Sequence, residues 1–144
     1  DMVFKHNYSV KSLILVNSIY PTRVADVLLA KAKKGNGHAA DFIIKYGLYR
    51  RLLGLKNAFS DGDEPVMLND LQACNDYQLD INELKNISIP IAIILGSKDR
   101  LVDLKAVENF TNSVPCHTHT MDEVGHFSFF EDPDKLSKLI SEIV

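Results

Sequence analysis

The chain is expected to fold as an α/β protein, with a parallel sheet flanked by helices and one helical excursion. Three observations predict this. Two segments, "LILV" at 13–16 and "IPIAIIL" at 89–95, are continuously apolar. That is the pattern of strands covered on both faces by helices. After residue 90 the chain alternates strand-like and helix-like stretches, as βα units do. Between the two apolar strands lie about sixty residues with helical periodicity and no convincing strand.

Residues 1–7, "DMVFKHN", read as the end of a helix leading into the first strand, which Tyr20-Pro21 closes. "TRVADVLLAKAKKG" reads as a helix with Val24, Val27, Leu28 and Ala32 on its apolar side and Gly35 as its stop. "GHAADFIIKYGLYRRLLG" reads as one helix or two, interrupted at Gly47, and "SDGDEP" as a loop. "EPVMLNDLQACNDYQL" follows as another helix, with Pro65 in its first turn.

"IPIAIIL" is bounded by Pro90 and Gly96, which makes it the clearest strand. "DLKAVENFTNSV" is a helix that Asp103 suits as N-cap. "CHTHTMDEV" alternates like a half-exposed strand. "DPDKLSKLISEIV" is an amphipathic helix, with Asp132 capping, Pro133 first, and Leu136, Leu139, Ile140 and Ile143 as its buried stripe. The expected organisation is core at 1–21, a helical lid at 22–82, and core again at 83–144.

The totals bound the function classes. A chain of 144 residues, 46% hydrophobic and 24% charged, suits one globular domain. The net charge of −3 favours neither nucleic acid nor an anionic membrane surface. The longest apolar runs are too short to span a bilayer. Cys74 and Cys116 lie far apart and form no metal-type pair, which favours a reduced, cytoplasmic setting. In "CHTH", His117 and His119 share one strand face while Cys116 points away. Surface histidines are the reading there, with a two-His metal site as the lesser alternative. No metal or cofactor is expected.

The chemistry concentrates at the carboxyl end of the sheet, where open parallel sheets bind ligands. Asp99 follows the second strand three residues after Gly96, and His126 follows the third. Neighbouring parallel strands lie about 4.8 Å apart, so groups on these two loops can meet. A His oriented by an Asp is the base half of a nucleophilic triad. Gly125 is expected to let the backbone turn tightly beside the His. Asp103 and Asp122 are weaker candidates for the acid, and Glu131 is expected to position the last helix.

These residues carry a resemblance. "IPIAIILGSKDRLVD" resembles the strand and acid loop of an α/β-hydrolase, and "VGHFSFFEDPDKLSKLI" resembles that family's His loop and closing helix. "YSVKSLILVNS" resembles the strand after the nucleophile-bearing helix. The resemblance implies that Asp99 is the triad acid and His126 the base, in the family's order of nucleophile, acid, His. It also implies that residues 22–82 form the lid.

The chain contains no G-x-S-x-G elbow. Ser9, Ser12, Ser18, Ser97 and Ser128 lack that setting, and Cys74 and Cys116 fall in a helix and at a strand start. The resemblance implies that the nucleophile and oxyanion hole belong to an N-terminal half of the same enzyme, which would also cover the open edge of residues 10–17. The expected activity is hydrolysis of a small, partly hydrophobic ester or related acyl substrate, with this chain alone inactive. The alternative is a non-catalytic hydrolase-like ligand-binding protein. An unrelated α/β domain would be indicated if Asp99 and His126 lay too far apart to bond.

Overall fold

A computed structural model describes residues 10–50 and 64–144. The helix end expected at 1–7, Ser9 and most of the "YRRLLG…SDGDEP" stretch lie outside the described residues. Strand β1 spans Leu13–Val16. Helices α1 (Asp26–Lys34), α2 (His38–Gly47), α3 (Glu64–Asp76) and the short α4 (Ile81–Lys85) follow. Then come β2 (Ile91–Gly96), α5 (Leu104–Ser113), β3 (His117–Met121), α6 (Ser128–Glu131) and α7 (Pro133–Ile143).

The strands form one parallel sheet in the order β1-β2-β3. Leu13 pairs with Ile91 and Val16 with Ile94, while Ala92 pairs with His117 and Gly96 with Met121. Helices cover both faces, which is why β1 and β2 are apolar without alternation. On one face Leu13, Leu15, Ile91, Ile93 and Leu95 pack with Val107, Phe110 and Val114 around α5. On the other, Ile14, Val16, Ile94 and Met121 pack with Leu136, Leu139, Ile140 and Ile143 of α7. The stripe expected for the last helix is the one it buries.

The caps form as the sequence requires. The Asp103 carboxylate accepts from the Lys105 N–H at 2.9 Å, and Asp132 accepts from Lys135 at 3.1 Å. Gly35 closes α1 at a φ of 70°, in the left-handed region that glycine adopts freely.

The helical segment between β1 and β2 has its own small core. Leu28, Ala32 and Ala39 pack with Val24, Phe42, Ile43, Met67, Leu68 and Leu71. Tyr20 clips the start of this segment to its end: its hydroxyl donates to Leu79 O at 2.7 Å and accepts from Leu79 N at 2.8 Å.

Several expectations change. The helix read from residue 22 starts at Asp26, so Val24 packs from the preceding extended chain. Val27 is 50% exposed. The stripe is Leu28 and Ala32, and Val27 lies about 100° round the helix from Leu28. The helix read to Leu79 ends at Asp76. Helix α4 was not foreseen. It starts where the Asp80 carboxylate accepts from Asn82 N at 2.8 Å, and its Leu84 enters the α5-side core. β1 closes at Val16 rather than at Tyr20-Pro21, because Asn17 turns into the left-handed region at φ 46°.

Candidate active site

The loops after β2 and β3 run side by side from the carboxyl end of the sheet. Ser97 N donates to Met121 O at 2.9 Å, Lys98 N to Val124 O at 2.9 Å, and Glu123 N to Ser97 Oγ at 3.0 Å. This pairing carries the strand register outward, beyond the sheet, and so places the acid and the His opposite one another.

Asp99 Oδ2 lies 2.8 Å from His126 Nδ1. The Asp99 side chain is only 4% exposed, and that of His126 is 29% exposed. The other oxygen, Oδ1, accepts from Leu101 N at 2.8 Å and Val102 N at 3.2 Å. The carboxylate is therefore oriented by its own loop, and one oxygen is left for the ring. With Asp99 as a carboxylate, Nδ1 donates and Nε2 keeps its lone pair. That tautomer accepts a proton at Nε2. The spacing excludes the reading in which the two residues lie too far apart to bond.

The alternative acids stand elsewhere. Asp103 caps α5, and Asp122 is exposed, its carbonyl accepting from Lys135 Nζ at 3.3 Å.

The backbone around the His is held at several atoms. His126 N donates to Gly47 O at 2.6 Å, which ties it to the end of α2. Asn17 is 3% exposed, and its Nδ2 donates to His126 O at 2.7 Å and Ser128 Oγ at 2.8 Å. Its Oδ1 accepts from Gly96 N at 2.8 Å. Glu131 is 7% exposed: Oε1 accepts from Gly125 N at 3.0 Å, and Oε2 from Tyr49 N at 3.1 Å and Arg50 N at 3.0 Å. Glu131 thus ties the His loop to the chain beyond α2, instead of setting the last helix, which Asp132 caps.

Gly125 needs correction too. Its φ is not among the positive ones, so a left-handed turn is not its reason. Space is the reason. A Cβ there would strike Gly47 O and come within 2.7 Å of Glu131 Oε1 and 2.8 Å of Tyr49 N. At Gly96 a Cβ would strike the carbonyls of Gly125 and Val124. At Gly47 it would lie 2.6 Å from Phe127 Cε2. Gly96 and Gly125 let the two loops and the end of α2 touch backbone to backbone, and Gly47 makes room for the Phe127 ring.

Among the described residues no Ser or Cys is hydrogen-bonded to the His126 ring. Ser97 Oγ is held by Glu123 N, and Ser128 is fully buried against Asn17. Burial pushes the Cys116 thiol up, the opposite of the lowering that activates a nucleophilic cysteine. Cys74 is exposed. His117 and His119 sit on one face of β3. Among the described residues no group of three or more His, Cys, Asp or Glu side chains could hold a metal ion. No described helix is long and apolar enough to cross a membrane.

The sequence gives no role to Asn17, and it marks Gly47, Gly96 and Gly125 as breaks and a turn without showing what packs against them. The one visible signal was an Asn directly after an apolar strand, at the sheet edge where ligands gather.

No protein-family model and no curated protein sequence matches the chain. Solved structures do. A thermophilic esterase superposes with a TM-score of 0.81 at 22% identity, over 92% of this chain and 55% of that one. An esterase from Exiguobacterium antarcticum gives 0.80 at 16% identity, over 99% and 60%. An α/β-hydrolase enzyme from a Medee basin deep-sea metagenome library gives 0.69 at 18% identity, over 90% and 54%. The fold is that of an α/β-hydrolase, in its C-terminal part. The chain spans little more than half the length of the structures it matches.

Proposed function

We propose that this chain supplies the acid and base of a serine-type α/β-hydrolase acting on a small, partly hydrophobic ester or related acyl substrate. The observation that carries the reading is the 2.8 Å contact between His126 Nδ1 and the buried Asp99 carboxylate, on adjacent loops at the carboxyl edge of a parallel sheet. The likeness to esterase structures supports it.

In this reading His126 Nε2 takes the proton of a serine hydroxyl as it attacks the acyl carbon. It then returns the proton to the leaving alkoxide. Asp99 holds the tautomer and stabilises the imidazolium formed between the two steps. The serine and the oxyanion donors come from a nucleophile-bearing N-terminal half that pairs with the open edge of β1. Residues 22–82 act as a lid over the substrate.

The test is turnover of p-nitrophenyl esters. The protein joined with its N-terminal half is expected to hydrolyse them, the 144-residue chain alone is not, and His126→Ala in the joined protein abolishes the rate. Full activity in the joined His126→Ala protein would sink the assignment.

A further inference from the structure

We propose that Asn17 is a positioning residue for the acid–base pair, holding the peptide carbonyl of His126 and the strand end that leads to Asp99 in one fixed relation. The inference deepens the hydrolase reading and rests on it for its kinetic arm alone.

Asn17 stands where β1 ends, with its side chain between the two functional loops. Every hydrogen-bonding group of that side chain is used for a different piece of the site. One amide hydrogen goes to His126 O at 2.7 Å, the other to Ser128 Oγ at 2.8 Å, and the amide oxygen takes Gly96 N at 2.8 Å. Its backbone N–H is bonded to Ile94 O at 2.8 Å, so the platform itself is anchored to β2. Gly96 lies three residues before the acid, and His126 O belongs to the base itself. The bonds therefore run from the root of the acid loop, through Asn17, to the His backbone.

The conformation explains why Asn stands there. At φ 46° the residue is in the left-handed region, where Asn is several-fold enriched among non-glycine residues. That turn sends its side chain across the ends of β2 and β3 instead of along the strand. Asp, of the same shape, offers no donor to a carbonyl.

The consequence for the ring is geometric. His126 N is held by Gly47 O and His126 O by Asn17, so the backbone is fixed on both sides of the residue. The side-chain torsions are then set by Asp99 at Nδ1. Removing the Asn17 donor frees the carbonyl side, and the ring loses its alignment with both the carboxylate and any serine facing Nε2. Asn17 makes no hydrogen bond to the ring, so its effect reaches the chemistry through His126.

The experiment compares Asn17→Asp with the wild type in the joined two-half protein, using Val114→Ala as a control that loosens the core far from the site. Asn17→Asp keeps the acceptor for Gly96 N and turns the donor to His126 O into a second acceptor. Two readouts are taken. One is the low-field proton resonance of the His126 Nδ1–H bonded to Asp99, identified by its loss in His126→Ala. The other is the split between kcat and KM on p-nitrophenyl butyrate.

The expected result is a resonance lost or broadened beyond detection in Asn17→Asp and kept in Val114→Ala. With it comes a kcat fall of about 10²-fold, the scale of a 1 Å misplacement, while KM stays within about twofold. An intact resonance with unchanged kcat in Asn17→Asp would overturn the proposal and leave Asn17 a purely structural residue. If the wild type hydrolyses no ester, the hydrolase reading fails by itself, and the resonance alone decides the positioning role. Should Asn17→Asp fail to fold, Asn17→Gly takes its place. Glycine keeps the left-handed turn without strain and removes the same donor, and the same outcomes decide.

Discussion

Asp99 meets His126 with one carboxylate oxygen and gives the other to the amides of Leu101 and Val102. The division matters because the backbone amides fix which way the carboxylate faces before the ring arrives. In Asp99→Asn the amide oxygen keeps the two backbone bonds, so the NH₂ group turns towards Nδ1. The ring must then accept at Nδ1 and carry its hydrogen on Nε2, where it can no longer take a proton. The expected outcome in the joined protein is a kcat loss of about 10⁴-fold with little change in unfolding midpoint. Near-normal kcat in Asp99→Asn would remove Asp99 from the role of acid.

Glu131 gathers three backbone amides with two oxygens, one amide from the His loop and two from the chain after α2. A glutamine can satisfy only one of these sets, because its NH₂ faces donors on the other side. A buried donor left without a partner costs about 1–3 kcal/mol. Glu131→Gln should therefore lower stability by about 2 kcal/mol, read as a lower urea midpoint at unchanged slope. A midpoint equal to that of the wild type would mean that the three amides find other acceptors.

Gly125 and Gly37 differ in what an added methyl group meets. At Gly125 it meets the Gly47 carbonyl, while at Gly37 there is open space but φ is +75°. Backbone cannot swing aside as a side-chain tip can. Gly125→Ala is expected to cost about 3 kcal/mol through overpacking, and Gly37→Ala about 1 kcal/mol through backbone strain. Calorimetric melting of the two variants checks the order. Gly37→Ala proving the more damaging would contradict it.

Among the described residues β1 is paired on one side, by β2. Leu13 N and Asn17 N donate across to Pro90 O and Ile94 O. In a parallel strand the intervening Ile14 and Val16 amides face the other way. In the isolated chain these two amides should exchange with solvent much faster than Leu13 and Asn17, and they should become protected when the N-terminal half is added. Equal protection in the isolated chain would show that this edge is already covered, which removes the reason for a strand partner there.

The layout was legible because its signals are local. Leu13–Val16 and Ile91–Leu95 announce strands covered on both faces, and the two Asp caps announce the starts of α5 and α7. Each of these features depends on a few consecutive residues. Asp99 and His126 were legible because a parallel sheet brings successive loops to one edge, so chain order already implied their proximity. The short α4 was not, because five residues with one buried Leu leave no period to read.

What the sequence determined by itself is the class of fold, the order of its strands, and the placing of Asp99 and His126 on neighbouring loops at the carboxyl edge of the sheet. What only the tertiary structure decided is how that edge is held. Asn17 reaches His126 across 109 positions, Glu131 reaches Tyr49 across 82, and Gly125 is small because Gly47 lies against it. Such contacts join segments that are distant in the chain, and no pattern within either segment encodes them. Hydrogen bonding and close packing between separated backbones exist only once the sheet has brought its loops together.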